Sequence, residues 1–332
     1  MSSARDVVVR LAAPAVAIVA VVSATFVPPG AASAGAPTPT VVTAVVSAND
    51  VRVGTAVTVS GMVTPPGPDP RTVVLQLATA TGWRPMGHAR AGVGGDYEMA
   101  VPTDWYGPHV LRVVATSTAT AAAGVSGDQT VSVAPSYTPR GRATQFSLFD
   151  THARWDPCQT IGYRTNLRLA PPGSRKLVER AFKIVHAATG LRFQRLGATR
   201  KVPFSTGPDA TQHLAYGLVV AWSTPRRVPE LAGSAAGFGG ATAQRTGDSP
   251  WRYVYGGVVL DARQKLPVRG FGNGASVGAL LLHELGHTMG LNHVRATSQI
   301  MYPALQTTFR GRYEAGDLAG LHAVGAEQGC FT

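Results

Sequence analysis

Between residues 275 and 303 the chain carries a pattern that leaves it little freedom: His283, Glu284, His287, Gly290 and His293 stand in the spacing H-E-x-x-H-x-x-G-x-x-H. Histidines four apart on a helix share one face about a turn apart, so His283 and His287 can reach a single ion. Gly290, lacking a Cβ, suits a left-handed residue that ends the helix and turns the chain back, delivering His293 as a third ligand. Three neutral imidazoles are a donor set for Zn²⁺, and they leave the fourth tetrahedral position to water, as in a catalytic rather than a closed structural site. Glu284 lies beside that position and suits a general base. An amphipathic helix with two surface histidines would show the same H-E-x-x-H. Here Ala279, Leu280, Leu281, Leu282, Leu285 and Met289 make the helix apolar nearly all round. Such a helix is buried, and buried histidines need partners.

Together with residues 298–303, Ser-Gln-Ile-Met-Tyr-Pro, this motif resembles the metzincin metalloproteases and, more narrowly, their matrixin branch. Residues 255–261 are similar to the strand that precedes the active-site helix of that family, and 316–321 to the start of its C-terminal helix, so the resemblance spans roughly 155–330. It implies an α+β fold with a twisted, mostly parallel sheet, one early helix, the active-site helix and a closing helix. It also implies one catalytic zinc, a protein or peptide substrate, and Met301 as a hydrophobic floor beneath the ligands. Substrate would lie extended on an exposed strand edge, for which 236–243 is the candidate, although so Gly-rich a stretch also reads as a surface loop. Residues 303–313 would wall the pocket for the side chain after the cleaved bond. The chain departs from the family in three ways. No cysteine-switch propeptide is recognisable, no acidic loop announces calcium, and only His213 and Asp261 stand where a second, structural zinc would be held.

The rest of the chain gives this motif its setting. Arg5 and Arg10, an apolar run over 11–27 and Ala32-Ser33-Ala34 read as a secretory signal cleaved after residue 34, with an uncleaved anchor as the alternative. No later stretch is apolar and long enough to span a bilayer, so the mature protein is expected to be secreted. Cys158 and Cys330 are the only cysteines. In an exported protein they read as one disulfide, worth about 4 to 5 kcal/mol by the chain-entropy model, in preference to a zinc-blocking thiol.

The formal charge is +12, and loss of Arg5, Asp6 and Arg10 with the signal leaves +11. Such an excess draws anionic surfaces, envelope polymers among them. The arginines read as scattered, without aromatic interleaving or a nucleic-acid motif, so no specific nucleic-acid partner is expected.

After a spacer at 35–40, Val- and Thr-rich segments at 41–46, 56–63, 73–79, 97–101, 110–115 and 130–133 suggest an immunoglobulin-like β-sandwich over 41–134. The stretches at 82–83 and 94–97 resemble turn and core positions of bacterial immunoglobulin-like repeats. Residues 135–150 read as a linker into a protease domain at 151–332. There, strands are expected at 161–169, 191–193, 214–222 and 253–260, and helices at 174–189 and 316–325. The function so implied is a secreted zinc endopeptidase. The alternative is an extracellular binding or adhesion protein on a metalloprotease fold that no longer turns over.

Overall fold

Alternating β-branched residues make the N-terminal half a set of strands, and the structure, a computed structural model, describes them within residues 36–67, 70–206, 217–266 and 270–331. The signal segment 1–34 and His213 lie outside the described residues. One sheet contains β1 (Val41–Val42), β2 (Val45–Val46), β4 (Val57–Thr64) and β7 (Asp96–Val101), with β1, β2 and β7 all paired to β4. The other runs β3 (Asp50–Arg52), β10 (Gln129–Ala134), β8 (Gly107–Ala115), β5 (Thr72–Thr79), β6 (Gly82–Arg90), and a short β9 (Gly124–Val125) pairs with β8. Residues of period two bury one face of each sheet: Val57, Val59 and Val63 on β4 meet Val73, Leu75 and Leu77 on β5 in one apolar core. The expected strand at 41–46 is broken into two, and β6 was not expected.

A second core fills the C-terminal half. Its sheet runs β12 (Phe193–Ala198), β11 (Ile161–Asn166), β13 (Gly217–Ser223), β15 (Arg252–Asp261), β14 (Gly237–Gln244); every pairing is parallel except β14 with β15. β13 is buried along its whole length, as befits a central parallel strand covered on both faces. Helix α1 (Ser174–Thr189) has the expected bounds and packs Val178, Ala181, Phe182 and Val185 inward, with Phe182 stacked on Tyr163 of β11 at 3.9 Å between centroids. The strand expected at 191–193 begins instead at Phe193. Helices α2 (Val277–Met289) and α3 (Ala315–Ala323) complete this half, and a disulfide joins Cys158 to Cys330.

Residues 135–150, read as a linker, are a strap laid on the C-terminal core. Tyr137 Oη donates to Tyr313 O at 2.7 Å, Arg140 N to Glu314 Oε2 at 2.5 Å, and Asn292 N to Ser147 O at 2.8 Å. The two cores also meet directly, and Pro37–Thr332 form one compact unit. Tyr106 N donates to Ala187 O at 2.7 Å and Ala80 N to Glu327 O at 2.8 Å. His186 Nε2 lies 3.0 Å from Asp104 Oδ2. Among the described residues no helix is long and apolar enough to cross a membrane.

Candidate metal centre

Helix α2 is set by its ends. Ser276 Oγ accepts from Ala279 N at 3.0 Å as its N-cap, and Gly290 takes the left-handed conformation (φ 111°) after Met289, donating to Gly286 O and His287 O. Every residue of 278–289 is buried. Beyond Gly290 the chain reverses, pinned to the strap by Phe149 N donating to Gly290 O at 3.1 Å and by a bridge between Leu148 and Leu291. That reversal carries His293 back over α2.

The three imidazoles converge. The Nε2 atoms of His283 and His287 are 3.1 Å apart, those of His287 and His293 3.1 Å, and those of His283 and His293 3.2 Å. Four ligands at about 2.0 to 2.1 Å in a tetrahedron lie about 3.3 Å from one another, so this triangle has the size of three corners of a zinc site. Nδ1 of His283 donates to Ile300 O at 2.7 Å and Nδ1 of His287 to Leu291 O at 2.8 Å, which fixes the tautomer of these two rings and turns their Nε2 lone pairs toward His293 Nε2. Lone pairs so placed repel unless they share a cation. Burial pushes His283 down to about 4 and His287 to about 3, so both rings stay neutral and able to ligate. The chemistry of the donor set therefore fits zinc. Among the described residues the other close group, Asp156 with Cys158 and Cys330, has its sulfurs tied up in the disulfide.

Glu284 is 5% exposed, and burial raises its carboxyl to about 8. A dication nearby would draw that value back down and restore the carboxylate. Strand β14 crosses directly over it. A Cβ on Gly237 would stand 2.9 Å from Glu284 Oε1, and one on Gly239 would stand 2.8 Å from the Glu284 carbonyl carbon. Glycine at alternate positions thus lets the strand lie on the helix. The expected edge at 236–243 is an edge in fact, since β14 ends the sheet.

Met301 reaches the centre from beneath, its Sδ filling the space a Cβ on Gly286 would need. The turn that carries it hangs on Asp317, which accepts from Ile300 N at 2.8 Å, Met301 N at 3.2 Å and Glu314 N at 2.9 Å. Burial pushes Asp317 up to about 7 against the pull of those donors. Gln299 is fully buried and ties the same turn to both sides: Oε1 accepts from Gly316 N at 2.8 Å, and Nε2 donates to Arg140 O at 3.2 Å. Sequence reasoning singled out the stretches that hold Gln299, Asp317, Gly237 and Gly239 without assigning these residues their roles. A cavity of about 530 Å³ opening on His293 is lined by 144–147 of the strap and 293–296. Asp261 pairs with Arg263. Against the upward push of burial, hydrogen bonds from Arg263 hold its carboxyl below the usual range, with Arg263 Nη2 at 2.9 Å.

The Matrixin family model matches residues 232–324, which hold α2, the metal centre and the methionine turn. The match spans under a third of the chain and supports a metzincin-like zinc metalloprotease. No curated protein matches. Among solved structures, a PKD domain from human KIAA0319 is 15% identical, covering 34% of this chain and 96% of that one at a TM-score of 0.22. A PKD domain of an M14-like peptidase from a Thermoplasmatales archaeon is 17% identical, covering 30% and 99% at 0.21. At such scores these likenesses carry no argument.

Proposed function

We propose that the protein is a secreted zinc endopeptidase, with an immunoglobulin-like module at 41–134 and a matrixin-like catalytic domain at 151–332. The observation that carries this reading is the triangle of Nε2 atoms at 3.1 to 3.2 Å with Glu284 next in sequence to His283. His283, His287 and His293 would hold the ion, and zinc when bound supplies Lewis acidity toward a carbonyl and toward water. Glu284 takes a proton from the attacking water and passes it to the departing amine, so that one water and one peptide bond become a carboxylate and an amine. The outer edge of β14 offers its N–H and C=O groups to an extended peptide, which would add to the sheet as a further strand. Gly237 and Gly239 keep that strand close to Glu284. Residues 144–147 of the strap line the cavity that opens on His293, where part of the substrate would rest.

The test is zinc content together with casein cleavage. One zinc per chain and cleavage abolished by chelator are expected. One zinc with no cleavage of casein, gelatin or peptide libraries would instead leave the metal structural and the chain a binding protein.

A further inference from the structure

The net charge is not scattered. Between Arg164 and Lys201 stand ten lysines and arginines and one acid, Glu179, so nine of the chain's twelve net positive charges fall in 38 of its 332 residues. These residues look dispersed in the sequence because they belong to three elements, β11, α1 and β12. The fold pairs β12 with β11 at the edge of the sheet away from β14 and packs α1 on both through Phe182, with Arg195 on the α1 side of the sheet and Arg164 on the other. Arg164, Arg168, Arg175, Lys176, Arg180, Lys183, Arg192, Arg195 and Arg200 are all exposed.

The lone acid is already engaged, with Arg175 Nε at 3.9 Å and Arg195 Nε at 3.7 Å from the same oxygen of Glu179. Lys176, Arg180 and Lys183 form an exposed stripe along α1 at helical spacing. Arg175 and Lys176 occupy the first turn of α1, where the helix dipole disfavours cations, and no acid balances them there. At the corner toward the N-terminal half, Arg192 lies near enough to Arg84 to lower the Arg84 guanidinium, after burial, from its ordinary value. Like charges gathered against helix and neighbour alike do not serve the stability of the fold.

We propose that the β11–α1–β12 face binds a linear polyanion with one phosphate or carboxylate charge per repeat, and so anchors the protein while the cleft stays free. Three strands lie between β12 and β14, and four spacings of about 4.8 Å put them roughly 19 Å apart, while α1 packs its buried side toward α2 and turns Lys176, Arg180 and Lys183 to solvent. Nucleic acid is the less fitting occupant. Of the rings beside it, Phe193 is packed against Phe182 at 5.1 Å and half-buried Phe271 is covered by the Arg180 guanidinium at 5.2 Å, so neither offers a free platform for bases. The exposed Phe146 and Phe238 lie on the strap and on β14, away from it. The inference stands on charge and topology, independently of the peptidase reading.

The experiment measures binding of inorganic polyphosphate to the full chain across a salt series, for wild type, for Lys176→Gln/Arg180→Gln/Lys183→Gln, and for a control of equal charge, Arg90→Gln/Arg226→Gln/Lys265→Gln. Wild type should bind with an affinity that falls linearly on a log–log plot against salt. The stripe variant should bind about tenfold more weakly or worse with a shallower slope, and the control within about twofold of wild type. Casein cleavage, measured without polyphosphate, should be equal in all three, which separates this outcome from failure of the peptidase reading. Equal losses in stripe variant and control would overturn the proposal, since net charge alone would then account for binding. Tighter binding of single-stranded DNA of the same charge, or of phosphatidylglycerol vesicles, would overturn the class of partner.

Discussion

The two edges of the C-terminal sheet are built from opposite materials. At β14 the strand is antiparallel, nearly uncharged and glycine-rich, and it lies against the helix that carries the histidines. At β12 the strand is parallel and flanked by arginines, and Leu196, not glycine, faces Gly162 of its neighbour. One edge gives up side chains so that backbone can approach a reactive group. The other gives up local charge balance to present cations. A sheet edge is a row of unpaired amides in both cases, and what is placed beside the row decides its use.

The sharpest break in this contrast is at the histidines. His287→Ala removes one corner of the triangle. Metal content should fall to that of chelated protein and casein cleavage with it, while polyphosphate binding at the far edge is unchanged.

Asp317→Ala comes next. It strips the acceptor from three buried N–H groups at about 1 kcal/mol each, so a loss of about 3 kcal/mol is expected in denaturant unfolding. Zinc affinity should fall about 10- to 100-fold, because Ile300, whose carbonyl orients His283, loses its own anchor.

Gly239→Val tests the close approach itself. The new side chain meets the Glu284 backbone and should cost about 1 to 3 kcal/mol and most of the activity. Gly197→Val, at φ 104° with open space around it, should cost about 1 to 2 kcal/mol of backbone strain and no activity. Equal loss of cleavage in the two would break the comparison.

The smallest effect lies where the two cores meet. The hydrogen bond to Asp104 raises His186 from its ordinary 6.5, and His186 in turn holds Asp104 below its ordinary 3.8. The contact contributes fully between those ordinary values. It is lost as pH falls through the depressed Asp104 value, and again as pH rises through the raised His186 value. The Asp104 side chain is 62% exposed, so the stabilisation is under about 1 kcal/mol. Asp104→Asn should flatten that part of the melting-temperature profile.

How legible all this was in the sequence follows from how local each cause is. Helix α1 could be bounded because its apolar stripe repeats at 3.6 residues and Gly190, at φ 68°, stops it. The metal centre could be read because two of its ligands share one helix and the third follows within a turn. Strand β6 could not: it is a sheet edge, carries Pro85 and Gly87, and buries no residue fully, so it lacks alternation. The strap 135–150 looks like a linker because its partners, Leu291, Gln299, Tyr313 and Glu314, lie some 140 to 180 residues downstream and, Tyr137 apart, grip backbone atoms of the strap, which leaves no side-chain pattern in it. The basic face escaped for the same reason, its cations being gathered from three elements by parallel pairing.

Glu284→Gln is the most direct test of the central claim, because it changes a proton acceptor and leaves size and ligands alone. The account predicts one zinc per chain, an unchanged melting temperature, and casein cleavage reduced by about 10²- to 10⁴-fold. A variant that keeps its zinc and cleaves at the wild-type rate would contradict it.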